Sequence, residues 1–246
     1  MYGWSLNYDT TVQDWNVWQD DDLREGDLGY DEFLSLLLQD EIDYRKNAKI
    51  KRLLKRASFK QTASLENIDL KSDRGLEKRQ LRELETCQYI EDGINIFIMG
   101  PTGVGKTYLA TAIGNAACRR GYTTLFYRMN SFLEQLLLAR AKGTYLNFLK
   151  RLAMVDLLIL DDLGIKALEP QQFQDLYDVI DERGEEKSTL ITTQLPVENW
   201  SEIIPDPVSC EAITDRLASV AIKLEMRGPS YRPKRRVNQK QNLDNN

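Results

Sequence analysis

Histidine does not occur among the 246 residues. Its absence excludes histidine triads, imidazole metal ligands and imidazole acid–base chemistry, so catalysis must rest on carboxylates, Lys, Arg and backbone amides. Cysteine is scarce. Cys87, Cys118 and Cys210 are scattered without the spacing of a zinc knuckle or a disulfide framework. No apolar run approaches the roughly 20 residues that a membrane-crossing helix needs. The first five residues carry neither the basic start nor the apolar stretch of a secretory signal. These absences lead to the expectation of a cytoplasmic protein without a membrane partner. Internal repeats are missing as well.

What is present is charge, unevenly placed. The formal net charge is −5, which alone argues mildly against a nucleic-acid partner. By segment the reading reverses. Residues 1–43 hold twelve acidic side chains and one basic one, whereas residues 44–60 hold eight basic and no acidic ones. Residues 61–222 are acidic again and residues 223–246 basic. Four regions are expected: an acidic, Trp-containing arm over 1–29, weakly ordered unless docked; a basic helical module over 30–60; a larger folded body over 61–233; and a polar tail over 234–246.

Phe33, Leu34, Leu37, Leu38 and Ile42 recur at helical steps, and Ile50, Leu53 and Leu54 continue the pattern. The spacing predicts a helical hairpin or one long helix. Arg45, Lys49, Arg52 and Arg56 are spaced 4, 3 and 4 apart, which aligns them as a stripe. With Lys46, Lys51 and Lys55 they form the candidate DNA-binding set; the bland alternative is a solvated helical face.

Beyond a polar connector, Lys60 to Asp73, strand-like and helix-like segments alternate. Strands are expected at Ile94–Met99, Thr123–Tyr127, Asp156–Leu160, Thr189–Thr193 and Ala221–Leu224. Helices are expected at Lys106–Arg119, at Ser131–Lys142 with a Ser131…Glu134 capping box, at Pro170–Arg183, and from about Ser209 to Ala218. The alternation implies an α/β fold with a five-stranded parallel sheet and right-handed crossovers.

Between the first strand and its helix stands Gly100-Pro101-Thr102-Gly103-Val104-Gly105-Lys106-Thr107, the pattern G-x-x-x-x-G-K-[ST]. Glycines let the backbone curl so that successive N–H groups and a helix N-terminus converge on a phosphate. These eight residues, and Tyr108 beside them, are the expected nucleotide contacts. Lys106 would reach the β- and γ-phosphates, and Thr107 would supply a hydroxyl to Mg²⁺. The apolar run Leu157 to Leu160 then delivers Asp161 and Asp162 at its C-terminal end, where a doubly wound sheet places its ligand crevice. Asp161 is the expected Mg²⁺ partner, and Asp162 the group that orients or deprotonates an attacking water. No Asn-Lys-x-Asp guanine-reading sequence occurs, so ATP is the expected nucleotide. Gln194, after Thr192 and Thr193, either touches the γ-phosphate or water, or caps its strand.

The phosphate loop, Leu160-Asp161-Asp162-Leu163-Gly164, Thr192-Thr193-Gln194-Leu195-Pro196, Asp215-Arg216-Leu217 and Gly228-Pro229-Ser230-Tyr231-Arg232 together resemble, in this order, the AAA+ ATPases of the IstB/DnaC group. The segment from Phe33 to Phe59, closing on Arg56-Ala57-Ser58-Phe59, is more similar to the IstB side of that group, the helper ATPases of insertion sequences. The resemblance covers roughly residues 30–233. It implies that Arg216 is an arginine finger reaching the nucleotide of a neighbouring subunit, though a surface ion pair with Asp215 or a nearby acid is the plain alternative. It implies that Arg232 is the second arginine of the group, and that no helical lid follows. Asp162 stands where the wider class more often has Glu, so slow hydrolysis is expected. The arm over 1–29 is not placed by these motifs.

Resemblance and charge together lead to an oligomeric ATPase that grips duplex DNA largely without regard to sequence, deforms it, and stimulates a partner transposase of the IstA kind. The alternative is a DnaC-like loader whose partner is a replicative helicase. A small-molecule kinase is disfavoured, because neither an arginine-bearing lid nor an acceptor site is evident.

Overall fold

The computed structural model describes residues 30–70, 74–164, 167–202, 204 and 206–231. The arm over 1–29, the tail over 234–246 and Arg232 lie outside the described residues.

The basic region is one helix rather than a hairpin, α1 (Tyr30–Ala57), with acids in its first turn and Lys55 and Arg56 in its last, as the helix dipole favours. The chain divides into two compact units between Ala48 and Lys49. In the first unit Leu34, Leu37, Leu38 and Ile42 are exposed and Arg45 pairs with Glu41 at 2.6 Å. In the second, Leu53 and Ala57 are buried against Cys118, and Ser58, at φ 60°, ends the helix.

The polar connector holds more than sequence suggests. Ala63 and Leu65 are buried, a 3₁₀ turn spans Leu65–Asn67, and the buried Asn115 amide donates to Ala63 O at 2.5 Å. Two short helices follow, α2 (Lys78–Thr86) and α3 (Gln88–Glu91). The order then runs β1 (Asn95–Met99), α4 (Lys106–Arg119), β2 (Thr124–Arg128), α5 (Met129–Ala141), α6 (Tyr145–Ala153), β3 (Leu157–Leu163), α7 (Pro170–Arg183), β4 (Ser188–Thr193), α8 (Pro207–Ala218) and β5 (Ala221–Glu225). The five strands form one parallel sheet in the order β2-β3-β4-β1-β5.

Two-residue alternation sorts the strand side chains onto two helical layers. Ile96, Ile98, Leu157, Ile159 and Leu190 pack towards α4 and α2, while Phe97, Leu158, Leu160 and Ile191 pack towards α5, α6, α7 and α8. Continuing the period puts Asp161 and Thr192 on the α4 side. The fold thus brings two polar strand ends to one helix N-terminus.

One expectation is corrected, and one helix is added. The Ser131…Glu134 pair lies inside α5, whose N-cap is Arg128 and has no side-chain cap, so it is not a capping box. The stretch between α5 and β3 contains α6, which buries Phe148, Leu149 and Leu152. Among the described residues no helix is long and apolar enough to cross a membrane, and no helix follows β5.

Candidate functional site

The phosphate loop joins β1 to α4 at the C-terminal edge of the sheet. Gly100, at φ 146°, lies so close to the next strand's exit that a Cβ there would sit 2.2 Å from Met226 O. Gly103, at φ 84°, would place a Cβ 2.1 Å from Ser230 Oγ. Both positions combine a left-handed backbone with a close neighbour, so only glycine fits. Gly105 forms the N-cap of α4 with no side-chain cap, which leaves the first amides of α4 directed at the loop. Val104 is buried beneath the loop, and Pro101 and Thr102 are exposed on it.

Lys106 is buried, and its ammonium donates to Gly100 O at 2.7 Å and Pro101 O at 3.0 Å. Thr107 Oγ1 lies 3.0 Å from both carboxylate oxygens of Asp161. Tyr108 is half-buried and packs on the α4-side core. The structure therefore brings Lys106, Thr107 and Asp161, the last of them 54 positions beyond Thr107, into one constellation.

Asp161 is fully buried. Burial pushes its carboxyl above the ordinary range; hydrogen bonds from Thr192 and Thr107 and the charge of Arg128 pull it down, while the charge of Asp162 raises it. Asp162 follows at φ 66°, beside a break in the β3–β4 register between Leu160 and Leu163. The bulge turns consecutive acids in different directions, so that Asp161 stays buried while Asp162 is half-buried.

From sequence Thr192 is only a polar residue near a strand end, yet it holds both acids. Its hydroxyl donates to Asp161 Oδ1 at 2.7 Å and accepts from the Asp162 N–H at 2.8 Å. The period-two step from Leu190 was the signal that could have found it. Thr193 Oγ1 bonds the N–H and C=O of Leu195, each at 3.1 Å, bending the chain around the exposed Gln194. Arg128, also missed, ends β2 in register with Asp161.

A strap crosses the loop from the other side. Met226 N–H donates to Met99 O at 2.7 Å, and Tyr231 N–H to Gly103 O at 2.9 Å. Arg74 fastens the strap, donating to Pro229 O at 2.9 Å with its guanidinium 3.6 Å from the centroid of the Tyr231 ring. Sequence reasoning passed over Arg74 because its partners lie some 155 residues away.

Arg216 stands apart from this constellation. On α8 it pairs with Asp181 of α7, and its guanidinium lies 5.1 Å from the Tyr177 ring centroid. Both members of the pair are about half exposed. Arg45, Lys46, Lys49, Lys51, Arg52, Lys55 and Arg56 are all exposed along α1.

The geometry suits a nucleoside triphosphate and a hard cation. A hydroxyl beside one carboxylate is an oxygen-only donor set, and Mg²⁺ typically takes one or two carboxylates plus substrate phosphates and water. Among the described residues no group of three or more His, Cys, Asp or Glu side chains forms a self-sufficient metal site.

Comparison with known proteins gives the same picture. The family model described as IstB-like ATP binding protein matches residues 6–239, and so takes in most of the arm over 1–29 that the sequence motifs left unplaced. The chain is 38% identical over 209 residues to the insertion sequence ATP-binding protein y4pL of Sinorhizobium fredii, covering 85% of each chain. It is 44% identical over 170 residues to the insertion sequence IS1162 ATP-binding protein of Pseudomonas fluorescens, covering 69% of this chain and 74% of that one. Among solved structures, the DnaC helicase loader superposes with a TM-score of 0.57 at 23% identity, over 67% of this chain and 97% of that one, a likeness of fold.

Proposed function

Since the chain belongs to the IstB-like ATP binding protein family, with an AAA+ α/β fold, we propose that it is an ATPase that assembles on duplex DNA and stimulates a partner transposase. The observation that carries the ATPase reading is the contact of Thr107 with Asp161 beside Lys106, at the N-terminus of α4.

In this reading the loop amides and Lys106 bind the β- and γ-phosphates. Thr107 and Asp161 would hold Mg²⁺, which when bound neutralises phosphate charge. Asp162 orients the attacking water, with Gln194 beside it at the next strand end. Phosphoryl transfer is mostly positioning and charge neutralisation, so carboxylates and amides suffice without histidine. Arg216, exposed on α8, supplies charge to the site of a neighbouring subunit, which ties hydrolysis to assembly. Its pairing with Asp181 is compatible with that role, because an exposed ion pair is weak and exchangeable.

Relatives named as insertion sequence proteins favour the transposition reading over a helicase loader, since the DnaC likeness extends to fold alone. The basic face of α1 supports contact with DNA phosphates.

The test is ATP turnover with mixed-sequence duplex DNA, single-stranded DNA or a replicative helicase added. Stimulation by duplex DNA supports the proposal. Stimulation confined to single strands or to the helicase would transfer the chain to the loader reading.

A further inference from the structure

The described clefts differ in whether carboxylates accompany their cations. One at the α8 and β5 side sets Glu198, Glu211 and Asp215 against Lys223, and one beside α4 mixes Glu66 and Glu85 with Arg119 and Arg120. Two others have cations and no carboxylate. The first, of about 210 Å³, lies between the end of α1 and the edge strand β2, with Arg56 on one side and Arg151 of α6 on the other. The second, of about 410 Å³, lies between α5 and α6 and contains Lys142 with the polar Gln135, Thr144 and Asn147. Arg151 lines both, so the two are adjacent.

The placement of α1 extends the line. Leu53 and Ala57 face the body. At about 100° per residue, Lys49, Arg52 and Arg56 fall together to one side of that buried seam, whereas Lys51 and Lys55 point away from it. Lys49 lies on the turn after α4, with its ammonium 3.3 Å from where a Gly121 Cβ would be. Among the described residues none of Lys49, Arg52, Arg56, Lys142 or Arg151 has an ion-pair partner. Nearby Arg140 differs, since Asp175 and Asp178 neutralise it.

We infer that Lys49, Arg52, Arg56, Arg151 and Lys142 form one phosphate-backbone track that carries duplex DNA from the basic helix onto the ATPase body. The inference rests on the duplex-DNA reading above and names the surface of the body that serves it. Charge complementarity commits the occupant to a polyanion, since cations without acids persist on a body that is otherwise acidic. Duplex rather than single-stranded DNA is favoured because the aromatics of these clefts are not open for base stacking. Phe126 and Phe148 are buried in the two cores, the half-buried Tyr127 ring packs on Phe132 at 5.2 Å between centroids, and the Phe148 ring is approached by Arg151 at 4.7 Å. Polar Gln135, Thr144 and Asn147 add the hydrogen-bond donors that commonly accompany phosphate contacts.

The experiment measures duplex-DNA affinity of the full chain across a salt series for the wild type, the double variant Lys142→Gln/Arg151→Gln, and Lys223→Gln as a control that removes a cation from β5. Each phosphate contact contributes about 0.9 to the slope of log K against log salt. The double variant should lose about two units of slope and bind at least roughly 30-fold more weakly at 0.15 M salt. Lys223→Gln should match the wild type, and ATP binding should persist in both variants. If the wild type binds duplex DNA and the double variant keeps its affinity and slope, the track is wrong while the DNA-binding reading stands. Equal losses in Lys223→Gln would also overturn the track, as a net-charge effect. A wild type that binds only single strands, or no DNA, would overturn both.

Discussion

The Thr192 hydroxyl sits 2.7 Å from Asp161 Oδ1 while accepting the N–H of Asp162 at 2.8 Å, so that one buried side chain fixes two consecutive acids with different tasks. The second bond pins Asp162 in its left-handed conformation, which costs a non-glycine residue about 1 kcal/mol or more and requires support. Thr192→Val preserves shape and removes both bonds. It should lower kcat roughly 10- to 100-fold, as expected if about 1.4–2.7 kcal/mol of positioning is lost from the transition state, with ATP affinity changed far less. Thr192→Ser should recover most of the rate. A merely structural role would appear instead as parallel losses in melting temperature and affinity, without rescue.

Asp161 gives a prediction with a sign. Burial raises its folded-state pKa above the unfolded value. In the window between the two, the folded protein binds more protons, so stability falls as pH rises through that window and the cost remains at neutral pH. Asp161→Asn removes the cost. Its Tm without nucleotide should exceed that of the wild type at pH 7 by roughly 2–4 °C for each kcal/mol relieved, with the gap closing at acid pH. Mg²⁺-dependent turnover should be lost in the same variant. Thermal melts across pH, beside turnover assays, check both halves.

The strap over the phosphate loop is held by a buried guanidinium. Its stack on Tyr231 is worth about 0.5–2 kcal/mol, and its charged hydrogen bond to Pro229 about 1.5–3 kcal/mol. Arg74→Ala should therefore release the strap and weaken ATP binding by roughly tenfold or more, a loss above about 1.4 kcal/mol. Tyr231→Ala should act in the same direction, while Tyr231→Phe keeps the ring and should bind normally. Calorimetric titration with a non-hydrolysable ATP analogue separates these outcomes.

Arg216 and Asp181 are both about half exposed, so their pair contributes about 0–1 kcal/mol and Arg216→Ala should leave the melting temperature nearly unchanged. Its turnover should nevertheless collapse. Mixing Arg216→Ala with Lys106→Ala should restore part of the activity, because an intact phosphate loop on one subunit then meets an intact arginine on the next. Absence of any complementation, with each variant folded, would remove the trans role.

Much of this site was legible as local pattern. The loop Gly100–Thr107 lies between a strand and a helix whose bounds, Lys106 and Arg119, follow from apolar periodicity, and Asp161 and Asp162 close an uninterrupted apolar run. Helix α7 was readable from Pro170 and Gly184 at its ends. Helix α2 was missed because its N-cap is Glu77, reciprocated by Gln80, rather than the Ser, Thr, Asp or Asn that usually marks a helix start. Arg74 and Thr192 act through partners on other elements, and nothing in their immediate neighbours encodes such contacts. The bulge at Asp162 was hidden for the same reason: it depends on the register of β4 against β3.

The most direct test of the account is the mass distribution of the full chain with duplex DNA, measured by mass photometry in ATP, in ADP and without nucleotide. ATP should produce multi-subunit assemblies on the duplex that ADP does not sustain, and Lys106→Ala should abolish them. Single subunits on DNA in ATP, or the same assemblies in all three conditions, would contradict the claim that nucleotide binding at Lys106, Thr107 and Asp161 drives assembly on DNA.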